Sequence, residues 1–233
     1  MREAIAKYAL MLALAFAVPA SLAQDLAPDA LLRGVSAGVI DKIKQDQDLR
    51  AASPENITDL VETRIVPLFD FVRMTRLAMA RNWRLATPEQ QALLTAEFKT
   101  LLVRTYSTAL AQYRGEAVEF KRLRAAARAT EVTVRSELMQ PGNEPMTLDY
   151  EMEKTPAGWK IYDVDVAGVR LVTTYREIFA EKVRAGGVNG LIGFLADGNR
   201  EGGSSFSAVK ASFWERSRLM FAILQNMVQG GRQ

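Results

Sequence analysis

The chain contains no cysteine and no histidine. Without thiols there is no disulfide, thiolate zinc site, iron–sulfur cluster or cysteine nucleophile, and without imidazole most metal sites and all Ser-His chemistry are gone as well. Catalysis, if any, would have to run on carboxylates, Lys, Tyr or Arg. Neither a Gly-x-x-x-x-Gly-Lys loop nor a Gly-x-Gly-x-x-Gly turn is present, so both common phosphate cradles are missing and no cofactor is expected. What remains is a globular composition. With 233 residues, 48% hydrophobic and 24% charged, the chain can build one large core or two small ones, and disorder throughout is excluded.

Basic surplus is also scarce where it would matter. The formal net charge of +3 comes from the two ends: residues 1–23 carry Arg2, Glu3 and Lys7, residues 201–233 carry a surplus of Lys210, Arg216, Arg218 and Arg232 over Glu201 and Glu215, and residues 24–200 sum to zero. A body without net positive charge is a poor match for nucleic acid, whose phosphates demand neutralisation.

Arg2 and Lys7, the short apolar run Tyr8 to Val18 and the small residues of Ser21-Leu22-Ala23 predict an export signal cleaved after Ala23. The run is too short to span a bilayer. A bacterial product would be soluble in the periplasm. The expected organisation is a signal over 1–23, one α+β domain over 24–200, and a linker with an amphipathic extension over 201–233.

Within the domain, helices come first. Leu32, Val35, Val39 and Ile43 recur at helical spacing over about 29–46. Ser53-Pro54 opens a second helix carrying Ile57, Val61 and Ile65 and ended by Pro67. Asp70 caps a third that runs to about Trp83. Thr87-Pro88-Glu89-Gln90 then combines N-cap, proline and capping box ahead of a long stripe, Leu94, Phe98, Leu101, Leu102, Thr105, Tyr106 and Ala109, reaching about Tyr113.

After Gly115 the period changes to two: Val118 and Phe120, Val132 to Leu138, and Met146 to Met152 each alternate apolar with polar. Turns at Pro141-Gly142-Asn143 and Pro156-Ala157-Gly158 make the strands an antiparallel meander. The fourth strand, Trp159 to Val166, breaks its own alternation, which calls for a bulge near Tyr162 or apolar cover on both faces. Two closing helices are expected, Val169 to Arg184 and Val188 to about Asn199, parted by Gly186-Gly187. The fold class is α+β, with helices packed on one face of a curved, mainly four-stranded antiparallel sheet.

Few residues suggest chemistry. Asp163 and Asp165 share one strand face, as a paired acid and base or a calcium site would, or else are simply its solvent face. Arg73, Arg76, Arg81 and Arg84 crowd one helix and its exit, either as an anion grip or as a solvated face. Met74, Met79, Met146, Met152, Phe98, Tyr106, Tyr150 and Phe179 compete for one interior, and composition alone leaves a filled core and a Met-rich cavity equally open. Beyond the Glu201-Gly202-Gly203-Ser204-Ser205 linker, Phe206, Val209, Phe213, Met220, Leu224 and Met227 recur at helical spacing.

The run Asp70-Phe71-Val72-Arg73-Met74, then Arg81-Asn82-Trp83-Arg84-Leu85-Ala86-Thr87-Pro88-Glu89-Gln90-Gln91, Phe98 and Leu101 to Tyr106, closely resembles the MlaC-like family of periplasmic phospholipid-binding proteins, also known as toluene-tolerance auxiliary components. Gly158 to Val164, Gly168 to Val172 and Gly186 to Ile192 follow in the same order, so the resemblance covers about 30–200; residues 201–233 depart from it. It implies a non-enzymatic carrier with a cavity for acyl chains between helices and sheet. Its partners would be phospholipid, an outer-membrane lipoprotein–porin complex and an inner-membrane ABC transporter with an MCE-domain component, and its role the maintenance of outer-membrane lipid asymmetry. The residues then expected on lipid are Met74, Phe98, Leu102, Tyr106, Val134, Leu148, Tyr150, Ile161, Val164 and Phe179. The competing reading is a cavity enzyme of similar build, with Asp163 as acid/base among Tyr106, Tyr150 and Tyr162.

Overall fold

The computed structural model describes residues 26–45, 54–111, 116–126, 128–139 and 144–200. The expected signal, the Ser53 cap, the Pro141-Gly142-Asn143 turn and the C-terminal extension lie outside the described residues.

Helix α1 (Pro28–Gln45) buries Leu32, Val39 and Ile43 on one stripe, as the spacing predicts. Helix α2 (Pro54–Leu60) runs into a π-helical turn, Val61–Ile65, and a 3-10 turn, Val66–Leu68, which carries Pro67 near its start. Helix α3 (Phe71–Met79) is capped by Asp70, whose carboxylate accepts the Arg73 N–H at 2.8 Å. The α-helix stops sooner than expected. At Ala80 the backbone takes φ 49° and the chain continues to Leu85 as a 3-10 helix, because an L-residue in that conformation cannot carry the α ladder onward. Helix α4 (Pro88–Ala111) opens on the predicted capping box: Thr87 N–H donates to Gln90 Oε1 at 2.9 Å and Gln90 N–H to Thr87 Oγ1 at 3.3 Å.

The sheet is antiparallel, unclosed and runs β1 (Ala117–Phe120), β2 (Glu131–Met139), β3 (Met146–Thr155), β4 (Gly158–Val166), β5 (Val169–Arg170) in chain order. It has one strand more than expected. Ala167 and Gly168 both adopt positive φ, so the chain reverses tightly and Val169–Arg170 pairs with Asp165–Val166 instead of beginning the last helix. The predicted bulge is present at Tyr162: Glu151 pairs with Asp163 but Met152 with Ile161, leaving Tyr162 as the extra residue. One inserted residue restores parity, so Ile161, Val164 and Val166 all share the helix-facing side.

Helix α5 (Leu171–Arg200) closes the fold, broken at Gly186 and Gly187; the φ of 66° at Gly187 is open to glycine and strained for other residues. Both of its arms lie on the helical layer, with α3 and α4 packed against them. Three buried clusters result. The largest joins α3, α4, α5 and the Met146–Val166 end of the sheet; a second joins α1, α2 and α4; a third sets Leu32 of α1 on Val132, Val134, Met152 and Ile161.

Candidate functional site

The register places the helix-facing side chains in rows: Leu138 beside Met146, Ser136 beside Leu148 and Val166, Val134 beside Tyr150 and Val164, and Val132 beside Met152 and Ile161. None carries a charge. The rows are not equally covered. Val132, Val134, Met152 and Ile161 are sealed beneath α1, and Met146 and Val166 are sealed by α4 and α5. Leu138, in the row of Met146, and Leu148, Tyr150 and Val164, in the two middle rows, keep accessible surface although they lie on the covered side, beside the buried Ser136 and Val134. Tyr106, on the second half of α4, is likewise half-buried, one turn beyond the buried Leu102.

These half-buried residues lie at the seam between two buried clusters: Tyr106, Leu138 and Leu148 pack on the larger, Tyr150 on the third, and Val164 on both. Desolvation pushes the Tyr106 phenol well above its ordinary pKa, with Tyr175 adding to the shift, and desolvation also raises Tyr150 against the opposing hydrogen bond of Ser136. Half-buried apolar side chains on the covered side of a sheet are the candidates for a ligand wall. The Ser107 Oγ, next along α4, is buried with no hydrogen-bond partner.

The other residues expected on lipid are packed more tightly. Phe98 and Phe179 are fully buried with ring centroids 5.0 Å apart at 71°, and Tyr175 meets Phe98 edge-on at 4.8 Å. Met74 is buried in the same cluster, and Val134 and Ile161 in the third. Leu138 joins these half-buried residues and the buried Ser136 lies one row along, though neither is among the residues expected on lipid. Leu138 shares parity with Val134 and was findable on that ground, whereas Ser136 interrupts the apolar alternation and carries no signal by itself.

Asp163 corrects two expectations. It is neither on a solvent face nor among Tyr106 and Tyr150, for its cross-strand neighbour is Glu151 on the outer side of the sheet and it is only 5% exposed. Its Oδ1 accepts the N–H of Val164 at 2.9 Å and of Val172 at 3.0 Å, the latter an otherwise unpaired amide in the first turn of α5. Burial raises its pKa, opposed by those two amides and by Arg170. The carboxylate is occupied as a helix cap. Asp165 accepts the Gly168 N–H at 2.7 Å and so holds the β4–β5 turn.

The arginine run also divides. Arg73 bonds Glu131 and Glu153 across the sheet edge and is no solvated residue, while Arg81 and Arg84 are exposed. Among the described residues no group of three or more His, Cys, Asp or Glu could hold a metal, and no helix is long and apolar enough to cross a membrane.

Helices covering one side of an unclosed antiparallel sheet, with half-buried apolar side chains between the two layers, define an α+β class of protein whose candidate ligand site lies between them. The model of the MlaC protein family matches residues 33–197, and the chain belongs to that family. Among solved structures, the phospholipid-binding protein from Ralstonia solanacearum, determined in complex with a phospholipid, is 43% identical to this chain with a TM-score of 0.70; the match covers 76% of this chain and 99% of that one.

Proposed function

We infer that the chain is a phospholipid carrier that takes the acyl chains into the seam between α4 and the sheet. The single observation that supports this most is the group of half-buried, uncharged side chains on the helix-facing side, Leu138, Leu148, Tyr150 and Val164, of which Leu138, Leu148 and Val164 pack on the same cluster as Tyr106 of α4. On this reading Tyr106, Leu138, Leu148, Tyr150 and Val164 form the wall, and Met74, Phe98, Leu102, Val134, Ile161 and Phe179 pack behind it and hold its shape.

The energetics favour such an arrangement. Two acyl chains of about 30 methylenes together cost roughly 24 kcal/mol to expose to water, at about 0.8 kcal/mol each. A free lipid does not cross an aqueous compartment at a useful rate. A cleft that reburies most of that surface brings exchange with a bilayer close to balance, so that docking decides its direction. No nucleophile or nucleotide is required, and of the two aspartates weighed as acid/base Asp163 is spent on the N-terminus of α5 and Asp165 on the β4–β5 turn.

The finer proposal is a periplasmic shuttle between an outer-membrane lipoprotein–porin complex and an inner-membrane ABC transporter with an MCE-domain component, serving lipid asymmetry. It draws on membership of the MlaC family. Native mass spectrometry and lipid extraction of protein purified from its own compartment test the carrier reading. Stoichiometric phospholipid is expected; an empty protein with small-molecule turnover lost in Asp163→Asn would replace it with the enzyme.

A further inference from the structure

The loop joining β1 to β2 carries Lys121, Arg122, Arg124 and Arg128 and no acidic residue, a local basic cluster in a body whose net charge is zero. It is anchored rather than free. Lys121 N–H donates to the Arg135 carbonyl at 2.9 Å, Lys154 N–H donates to the Thr130 carbonyl at 2.8 Å, and Leu123 and Ala129 tuck into the cluster beneath α1. With Leu123 turned inward, Arg122, Arg124 and Arg128 are left exposed, alongside the exposed methyls of Ala125 and Ala126.

Lys121 is held by Glu137 at 2.6 Å, but none of the three arginines makes an ion pair among the described residues. The acids that share a groove with Arg122 and Arg124 are already engaged. In the groove that the loop shares with the outer face of the sheet, Glu131 is bonded by Arg73 and Glu151 by Arg170, while Arg135 turns to Asp149. Arg122 and Arg124 therefore line that groove with their charge unanswered.

We propose that this loop is the surface by which the protein docks on an anionic phospholipid bilayer. Guanidinium groups pair bidentately with phosphate, and basic residues near an anionic leaflet add their attractions roughly independently, with no fixed counter-pattern required. A protein partner would need an aromatic or aliphatic anchor at the centre of the contact. This loop offers none, since its only large apolar residue, Leu123, is packed into the body. The inference rests on the carrier reading for its choice of a lipid surface, and the two fail separately: lipid content reads the carrier, vesicle partitioning reads the loop.

The test is flotation of the full chain with vesicles of phosphatidylglycerol mixed into phosphatidylcholine, against phosphatidylcholine alone, as salt is raised. The triple variant Arg122→Gln, Arg124→Gln, Arg128→Gln is compared with a triple Arg→Lys variant, all with the same termini, so that charges elsewhere are common to every protein. Each basic residue near an anionic leaflet is worth about fivefold in partitioning, so the Gln variant is expected to bind about a hundredfold more weakly. The Lys variant should keep most of the binding, salt should abolish it, and co-purified lipid and thermal midpoint should not change. Equal binding by wild type and the Gln variant, or no preference of the wild type for anionic vesicles, overturns the proposal. So does a wild type that ignores vesicles while the Gln variant loses a protein partner, an outcome that assigns the loop to an acidic protein.

Discussion

The guanidinium carbon of Arg73 lies 3.6 Å from the centroid of the Tyr162 ring. Tyr162 is the bulged residue of β4, and Arg73 stands in the first turn of α3, so the contact ties the helical layer to the sheet at the point where the sheet bends. The same arginine bonds Glu131 and Glu153, which face each other directly across β2 and β3. Like charges so placed repel. The outer face repeats the pattern, with Arg170 answering Glu151 opposite Asp163 and Arg135 answering the Asp149 of the Asp149–Asp165 pair.

Arg73→Gln should therefore lower stability by about 1–3 kcal/mol, through the lost cation–π contact and the two carboxylates left opposed. Denaturant midpoints check it. Adding Glu131→Gln and Glu153→Gln should recover part of the loss; if it recovers nothing, the repulsion argument fails.

Wall and backing should respond oppositely to substitution. Phe98→Ala empties a sealed site between Tyr175 and Phe179 and should cost about 3–5 kcal/mol. Leu148→Trp adds bulk at the accessible seam, and it should leave the thermal midpoint nearly unchanged while displacing bound lipid. Parallel melting curves and lipid extraction separate the two. A Leu148→Trp protein that loses stability and keeps its lipid would show a filled core.

The cap made by Asp163 has a defined pH signature. Burial raises its pKa in the folded protein, so the fold binds this proton more tightly than the unfolded chain does. Its contribution to stability is full below the ordinary carboxylate pKa and is lost as pH rises through the raised one. Asp163→Asn still accepts the Val164 and Val172 amides at Oδ1 but has no charge to desolvate. Relative to wild type it should gain stability on going from acid to neutral pH, whereas Asp163→Ala, which deserts the amide of α5, should cost about 1–2 kcal/mol at acid pH, a deficit that narrows as pH rises.

Ala80 holds φ 49° and ψ −127°, a region that glycine enters freely and alanine does not. Ala80→Gly should raise the unfolding free energy by roughly 0.5–1 kcal/mol, read from the denaturant midpoint, because the relieved strain outweighs the greater freedom of the unfolded chain.

Local signals in the sequence were legible wherever a residue acts on its own neighbours. Thr87 with Gln90, Asp70 as a cap, the two-residue alternation of the strands and the break at Gly186-Gly187 all act within a few residues, and each took the expected form. The broken alternation at Tyr162 even marked the bulge. What was not legible depended on residues distant in the chain. Asp163 looks like a solvent-face acid until β5 brings the amide of Val172 over it, and Arg73 looks like part of a solvated run until the sheet edge brings Glu131 and Glu153 beneath it. The candidate site was half legible: parity gave the helix-facing side, but which of its rows α1, α4 and α5 seal is a property of packing that no periodicity encodes.

A photo-crosslinking residue at position 148, in protein made in its own compartment and irradiated before purification, tests the central claim most directly. The account predicts a covalent phospholipid adduct by mass spectrometry, and none from the same probe at the exposed position 147 on the opposite side of β3. Lipid captured at 147 and not at 148, or no adduct at 148 in a protein that carries lipid, would contradict a cleft between α4 and the sheet.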